Sequence, residues 1–282
     1  MPDLSIHDCL KKAEAKLYSI DDPQLSAIIL MAHLLNQTKT WVLAYTEETL
    51  SESQYQAFFA LVERLAEGEP LPYITGKQSF YGLDFKVNPA VLIPRPETEL
   101  LVDEALKWLQ DQPDEKQILD VGTGSGCIAI SLAKNSHNNP IKATDISEDA
   151  LKIAAENAKT HGVENRISFV QANLLENFKG KVDLICANLP YIPTTSLAEL
   201  EVINWEPALA LDGGMDGLSL IGKLLDQSLH HLNIPGLILL EIDSTTGESA
   251  FSLARHFYPN ADIHLLNDLA GKSRLLLIEV LK

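Results

Sequence analysis

The chain has 282 residues, of which 46% are hydrophobic, and this size and composition suit one large domain and a smaller companion, each with an ordinary core. It has no run of eighteen apolar residues and no apolar stretch near its start, so we expect a cytoplasmic protein without a signal peptide or membrane contact. The net charge is −17, and both the first 75 residues (5 basic, 11 acidic) and the remainder (17 basic, 28 acidic) are acidic, which disfavours direct contact with nucleic acid because duplex binders usually carry a basic patch.

Only helices are predicted for the first seventy residues. Apolar residues recur there at steps of three and four, as a buried helical stripe requires: Leu10, Ala13 and Leu17, then Leu25, Ile28, Ile29, Ala32 and Leu35. Asp22-Pro23 and Ser51-Glu52 are typical helix starts, and the helix after Ser51 is expected to bury Tyr55, Phe58, Phe59, Val62 and Leu65. We predict a helical domain over residues 1–72, which either recognises a partner or serves only as a packing unit.

A hairpin is predicted within a linker over residues 73–95. Gln78–Phe80 and Asp84–Val87 alternate on either side of Gly82, as a short hairpin requires. The next segment is Ile93-Pro94-Arg95-Pro96-Glu97-Thr98-Glu99, whose prolines fix an extended path into a helix at Leu100–Leu109.

Regular alternation of strands and helices follows in the second domain, residues 96–282. We predict strands at Gln117–Val121, Ile141–Asp145, Ile167–Gln171, Val182–Ala187, Leu237–Ile242, Asp262–Leu266 and Leu275–Val280, and helices at Ile128–Lys134, Asp149–Thr160, Leu218–Leu232 and Glu248–Phe257. This alternation indicates an α/β, Rossmann-like fold with a seven-stranded, mostly parallel sheet. Because the last two strands are joined by too few residues for a crossover helix, the final strand should be antiparallel.

A glycine-rich loop joins the first of these strands to its helix. The sequence Gly122-Thr123-Gly124-Ser125-Gly126 lets a ligand approach the backbone closely, although nicotinamide and flavin sites use similar turns. Cys127 stands where a dinucleotide fingerprint has its last glycine or alanine, and the G-x-G-x-G spacing resembles the first motif of S-adenosylmethionine methyltransferases. The cysteines Cys9, Cys127 and Cys186 have neither metal nor disulfide spacing, and we predict no metal site.

Further cofactor ligands are expected after the second and third strands. Asp145 has the spacing of an acid that accepts hydrogen bonds from ribose hydroxyls, and the alternative is that it caps a turn beside Ser147. Asn173 and Leu174 follow the third strand and are expected to bind cofactor. Asn173 would contact an adenine amino group, unless it is an ordinary turn residue.

The fourth strand ends in Asn188-Leu189-Pro190-Tyr191, which we interpret as the acceptor loop. Ligands of open parallel sheets bind beyond the carboxyl ends of the strands, so this loop and the glycine loop should face one pocket. The Asn188 side-chain carbonyl and the Leu189 backbone carbonyl can accept the two protons of an NH2 group, because Pro190 keeps Leu189 extended. Tyr191 offers a flat face to a planar group. We therefore predict methyl transfer to an amide or amino nitrogen, with Asn188, Pro190 and Tyr191 as catalytic residues and no general base.

Together these motifs resemble the release-factor glutamine methyltransferase family. The resemblance spans almost the whole chain, including Pro72–Gly76, Phe80–Gly82, Ile93–Glu99 and Asp268–Gly271. It implies S-adenosylmethionine as cofactor, bound by Gly122–Gly126, Asp145 and Asn188. It also implies methylation of the glutamine in the Gly-Gly-Gln loop of bacterial peptide-chain release factors, with Asn188, Leu189, Pro190 and Tyr191 holding that glutamine. We expect a monomer whose helical domain recognises the substrate.

Two positions depart from the family pattern. Leu189 replaces the first proline of Asn-Pro-Pro-Tyr, which is expected to loosen the loop, and Asp243 replaces a glycine after the fifth strand, which is expected to alter that loop. Asn-Leu-Pro-Tyr is characteristic of ribosomal-RNA adenine dimethyltransferases. An adenine amino-group methyltransferase acting on RNA or DNA is therefore one alternative, and a non-catalytic cofactor-binding adaptor is another.

Overall fold

The chain divides into two compact units in a computed structural model that describes residues 5–281. The first unit ends at Lys77 and the second begins at Gln78. The first unit extends beyond the predicted boundary at residue 72 because a short helix, Leu71–Thr75, spans that boundary, and Ile74 of this helix is buried in the core of the unit. Apart from its first residue, Lys77, the hairpin predicted as a linker belongs to the second unit, and its Phe80 and Phe85 are buried in the core of that unit.

The described part of the first unit is helical, as predicted. Its helices are α1 (Ile6–Lys16), α2 (Pro23–Leu35), α3 (Lys39–Ala44), α4 (Glu52–Ala66) and α5 (Leu71–Thr75). Both predicted helix starts are confirmed. The Asp22 side chain accepts from the N–H of Leu25 at the start of α2, and Ser51 forms a capping box with Gln54 at the start of α4.

The predicted buried stripe on α2 is wrong at Leu25. This side chain is 41% exposed, whereas Leu30 and Met31, which lie outside the predicted stripe, are fully buried. The reason is that α1, α3, α4 and α5 all pack against α2. A helix covered on several sides buries more than one stripe, so its three-to-four-residue periodicity does not identify the buried face.

The second unit alternates strands and helices as predicted. It contains the hairpin β1 (Lys77–Phe80) and β2 (Leu83–Lys86), followed by α6 (Glu99–Gln110), β3 (Ile118–Val121), α7 (Cys127–Asn135), β4 (Ile141–Asp145), α8 (Glu148–Thr160), β5 (Ile167–Gln171), β6 (Val182–Ala187), α9 (Thr194–Leu197), α10 (Ser219–His231), β7 (Leu232–Glu241), α11 (Gly247–Phe257), β8 (Asp262–Asn267) and β9 (Ser273–Val280). Strand β7 begins five residues earlier than predicted. No helix within residues 5–281 is both long and apolar enough to cross a membrane.

The seven-stranded sheet has the order β5-β4-β3-β6-β7-β9-β8. Strands β3 to β7 pair in parallel, and β9 is antiparallel to both β7 and β8, which confirms the prediction for the last strand. The chain proceeds from β3 outward to β5 and then returns to place β6 on the other side of β3. This reversal is a topological switch point, where open α/β sheets bind ligands.

Alternate residues of the central strands enter two separate cores. Ile118 pairs with Leu184 in one core, and Leu119 pairs with Ile185 in the other. Both faces of the sheet are therefore covered, which explains the nearly continuous apolar sequence of these strands. At their carboxyl ends Val121 pairs with Ala187, so the loops that begin at Gly122 and Asn188 emerge side by side.

Candidate active site

A cavity of about 530 Å³ lies where β3, β4 and β6 end, and this volume is within the range of small-molecule pockets. Ten of the residues predicted to bind cofactor or acceptor line it: Gly122, Thr123, Gly124, Ser125, Asp145, Asn173, Leu174, Asn188, Leu189 and Pro190. The parallel sheet therefore brings the glycine loop and the acceptor loop to one cavity, as expected from their positions after neighbouring strands.

Gly126 and Tyr191, also predicted as site residues, do not line this cavity. Gly126 is the N-cap residue of α7 and has a φ of 83°, and a Cβ there would lie 2.9 Å from Ile130 Cδ1 and 3.1 Å from the Ala154 Cβ. Glycine at this position therefore allows the start of α7 to pack closely against Ala154 of α8. Tyr191 is half-buried, and burial raises the pKa of its hydroxyl to about 12, so this group is neutral at physiological pH.

The shape of the glycine loop depends on Asp120, which sequence reasoning did not assign to the site. This carboxylate is fully buried at the end of β3, and its Oδ2 accepts from Thr123 Oγ1 at 2.6 Å and from the N–H of Ala129 at 3.2 Å. Its Oδ1 has no partner among the described residues. Burial raises the pKa of Asp120 to about 7, against the effect of these hydrogen bonds. An acid two residues before the first glycine was the signal in the sequence.

Asp145 connects the glycine loop to the turn after β4. Its Oδ2 accepts from the N–H of Gly124 and its Oδ1 from the N–H of Ser147, both at 2.9 Å. Ser147 in turn caps α8 by accepting from the N–H of Ala150. A carboxylate oxygen can accept more than one hydrogen bond. Asp145 therefore both caps the turn and retains acceptor capacity at the cavity, and its burial raises its pKa.

The cofactor side of the cavity has the chemistry that a nucleoside requires. Asp145 supplies acceptors for a diol, and the apolar side chains of Ile146 and Leu174 line the wall beside it. Gly124 has a φ of 55° and leaves open space within 4 Å of the position a Cβ would occupy, so a ligand can approach the backbone there. Asn173 is exposed, and its amide donates to Glu176. These residues fit S-adenosylmethionine.

Asn188 is held from behind by a buried pair of residues. Its Nδ2 donates to Thr98 Oγ1 at 3.1 Å, and Thr98 Oγ1 donates to Glu241 Oε2 at 2.6 Å. Thr98 lies in Ile93–Glu99, one of the segments that carry the family resemblance, and Glu241 ends β7, the strand beside β6. Glu241 could have been assigned to the site from the sequence, because sites form at the carboxyl ends of neighbouring parallel strands.

The loop itself is packed more firmly than its sequence suggested. Leu189, expected to loosen it, is only 4% exposed, and its Cδ2 would lie 3.2 Å from a Cβ on Gly122. The N–H of Ile192 donates to Leu211 O at 3.1 Å, and the N–H of Gly213 donates to Ile192 O at 2.8 Å. Residues 211–213 therefore pair with the end of the acceptor loop.

Gly213, within this pairing, and Gly217, just after it, allow their segment to approach the backbone of Tyr191 closely. A Cβ on Gly213 would lie 2.6 Å from Tyr191 Cα, and a Cβ on Gly217 would lie 2.3 Å from Tyr191 O. Any larger residue would have to displace the backbone of the acceptor loop. Sequence reasoning missed both positions, because glycine in a loop does not reveal which backbone lies against it.

The far wall of the cavity comes from residues 207–210 and from the segment before α6. Arg95, which lines the cavity, forms an ion pair with the buried Glu206, and Glu206 also accepts from the N–H of Ile93 at 3.2 Å. Because a buried carboxylate needs such partners, this pairing fixes the two segments together. The segment Ile93–Glu99 thus contributes to the cavity wall.

Asp243, the second departure from the family pattern, is accommodated after β7. The backbone φ of Asp243 is not positive. Its Oδ1 accepts from the N–H of Thr245 at 2.8 Å, which is an ordinary turn of aspartate. The loop therefore does not require the left-handed backbone that glycine would permit.

Comparison with known proteins identifies both parts of the chain. The family described as PrmC N-terminal domain matches residues 8–76, and the methyltransferase small domain matches residues 97–204. The release factor glutamine methyltransferase of Moorella thermoacetica is 40% identical over 278 residues, covering 97% of this chain and 98% of that relative. A bifunctional methyltransferase of Rickettsia typhi is 37% identical over 96% of this chain, which spans 57% of that protein.

A solved structure supports the fold alone. The ribosomal protein L11 methylase of Lactobacillus delbrueckii subsp. bulgaricus superposes with a TM-score of 0.51 and 23% identity, covering 70% of this chain and 84% of that one. The alignment with the Moorella relative covers 97% of this chain and therefore includes both units. The chain belongs to the release factor glutamine methyltransferase family.

Proposed function

We propose that this protein transfers a methyl group from S-adenosylmethionine to the side-chain amide nitrogen of the glutamine in the Gly-Gly-Gln loop of bacterial peptide-chain release factors. The observation that carries the proposal is that the glycine loop, Asp145 and residues 188–190 line a single cavity. A cofactor and a planar amide can therefore be held against each other. The names of the relatives support a release factor as the protein that carries the amide.

The cofactor side is assigned by the groups that each wall offers. Asp145 would accept hydrogen bonds from the ribose hydroxyls, and Ile146, Asn173 and Leu174 would hold the adenine. The backbone of residues 122–125, which lines the same cavity, would receive the remaining polar part. When bound, S-adenosylmethionine supplies a methyl group on a positively charged sulfur. Asp145 is already oriented by Gly124 and Ser147, so little reorganisation is needed to bind the ribose.

The acceptor side is assigned to Asn188, Leu189 and Pro190. An amide nitrogen is a weak nucleophile because its lone pair is delocalised into the carbonyl. Two carbonyl acceptors, from the Asn188 side chain and the Leu189 backbone, fix the plane of the NH2 group and stabilise the positive charge that develops on it. Pro190 keeps Leu189 extended. Tyr191 anchors the loop through its backbone against Gly213 and Gly217.

The first unit is assigned to recognition of the release factor. A Gly-Gly-Gln loop offers little surface, and its glycines lose much freedom when they are ordered, so affinity must come from a second contact. The first unit exposes large apolar side chains that suit such a contact, including Tyr18 at 83% exposure, Leu43 and Tyr45.

A labelling experiment tests the proposed function. The protein is incubated with methyl-labelled S-adenosylmethionine in three separate reactions. The first contains a bacterial release factor, the second contains the same factor with alanine in place of the Gly-Gly-Gln glutamine, and the third contains ribosomal RNA. Label should enter only the unaltered factor, on its glutamine. Label in the RNA would support an adenine methyltransferase instead, and binding of the cofactor without transfer to any acceptor would support an adaptor.

A further inference from the structure

Thr98 and Glu241 form a buried chain of hydrogen bonds behind Asn188. Thr98 Oγ1 lies 2.6 Å from Glu241 Oε2 and 3.1 Å from Asn188 Nδ2. Thr98 and Glu241 are each 2% exposed, so bulk water does not compete for these bonds. The chain joins the start of α6, the end of β7 and the loop after β6, which are far apart in the sequence.

The Thr98 hydroxyl is not used where threonine usually acts. Thr98 occupies the N-cap position of α6, yet its side chain makes no capping hydrogen bond there, although threonine is a preferred N-cap residue. The hydroxyl is turned instead towards Glu241 and Asn188. An N-cap role therefore does not account for this residue.

A hydroxyl has one proton to donate, and this fixes the direction of the chain. Burial raises the pKa of Glu241 to about 7, so at pH 8.5 Glu241 is a carboxylate. A carboxylate can only accept, so the proton of Thr98 goes to Glu241. Thr98 Oγ1 then presents a lone pair to Asn188, so the NH2 group of Asn188 must donate to it. The carbonyl oxygen of Asn188 is consequently left for the cavity. The reversed amide would place an oxygen against the Thr98 lone pair and an NH2 group against the NH2 group of the acceptor.

We infer that Thr98 and Glu241 are positioning residues that orient the side-chain amide of Asn188, so that its carbonyl oxygen accepts from the acceptor nitrogen. This inference rests on the proposed transfer to an amide nitrogen. Neither residue contacts the acceptor in this scheme, and both act through Asn188.

Two substitutions at Thr98 separate orientation from packing. Thr98→Val keeps the volume but removes the hydroxyl, and Thr98→Ser keeps the hydroxyl but removes a methyl group. Orientation predicts that kcat falls roughly 10- to 100-fold in Thr98→Val, because small errors in placement have effects of this size, and stays within about 3-fold of the unaltered protein in Thr98→Ser. Packing predicts the reverse order. Equal values of kcat, or the reverse order, would overturn the inference.

The measurements use the full chain, a release factor and saturating S-adenosylmethionine at pH 8.5. Calorimetry of S-adenosylmethionine binding and thermal unfolding accompany them, and the cofactor Kd should be unchanged in both variants. Glu241→Gln is the second test if Thr98→Val does not fold. A glutamine can turn either its oxygen or its NH2 group to Thr98, so kcat should fall several-fold with the cofactor Kd unchanged, and an unaltered kcat would refute the inference. If the unaltered protein itself does not methylate the factor, the proposed function fails instead.

Discussion

Gly217→Ala tests whether residues 211–217 hold the acceptor loop in its active position. Gly217 has a φ of 74°, and a Cβ there would lie 2.3 Å from the carbonyl oxygen of Tyr191. Gly271 is a matched control, because its φ of 77° is similar and nothing lies within 4 Å of its Cβ position. Both substitutions therefore introduce the same backbone strain, and only one introduces a steric conflict with the acceptor loop.

The magnitudes follow from these two contributions. A left-handed backbone with a side chain costs about 1–2 kcal/mol, so Gly271→Ala should lower the free energy of unfolding by that amount. The conflict at Gly217 adds about 1–3 kcal/mol, as overpacking of a tight site does. Tyr191 lies three residues after Asn188, so a displaced Tyr191 carbonyl moves the acceptor loop, and a shift of about 1 Å can lower the rate roughly 100-fold.

Urea unfolding measures the stability of both variants, and methylation of a release factor measures kcat at a temperature where both are folded. Gly217→Ala should show the greater loss of stability and a large loss of kcat, with its affinity for S-adenosylmethionine preserved. Gly271→Ala should retain kcat. The same kcat in the two variants would mean that contact with Gly217 does not position the loop.

Four further outcomes are expected. Asn188→Ala should lower kcat roughly 10- to 100-fold and leave cofactor binding nearly intact, because a hydrogen bond to a group gaining charge is worth about 1.5–3 kcal/mol; normal turnover would remove Asn188 from catalysis. Asp145→Ala should weaken cofactor binding by at least about 10-fold, the equivalent of one charge-assisted hydrogen bond. An unchanged Kd in calorimetry would mean that Asp145 only stabilises the turn after β4. Burial raises the pKa of Asp120 to about 7, so the native state keeps a proton that the unfolded chain loses near pH 4, and this contribution to stability falls as the pH rises from about 4 to about 7. The stability of Asp120→Asn relative to the unaltered protein should therefore improve between pH 5 and pH 8, and a constant difference in urea unfolding would contradict this reasoning. Finally, a short Gly-Gly-Gln peptide should be a much poorer acceptor than the whole release factor, and similar kcat/KM values would argue against recognition by the first unit.

The sequence by itself determined the elements and the two main loops. Strands such as β4, β5 and β6 were predicted at their observed bounds because period and composition are local properties of the chain. The shared position of Gly122 and Asn188 followed from one rule, because loops after neighbouring parallel strands meet at the same edge. The antiparallel last strand followed from the length of the preceding loop.

Only the tertiary structure decided which residues support those loops. Thr98 and Glu241 are 143 residues apart in the sequence, and neither residue type reveals its partner. The same holds for Gly217 against Tyr191, for Arg95 with Glu206 and for Gly126 against Ala154. Local periodicity indicates which type of element a segment forms, whereas the identity of the contacting atoms depends on how distant segments are brought together.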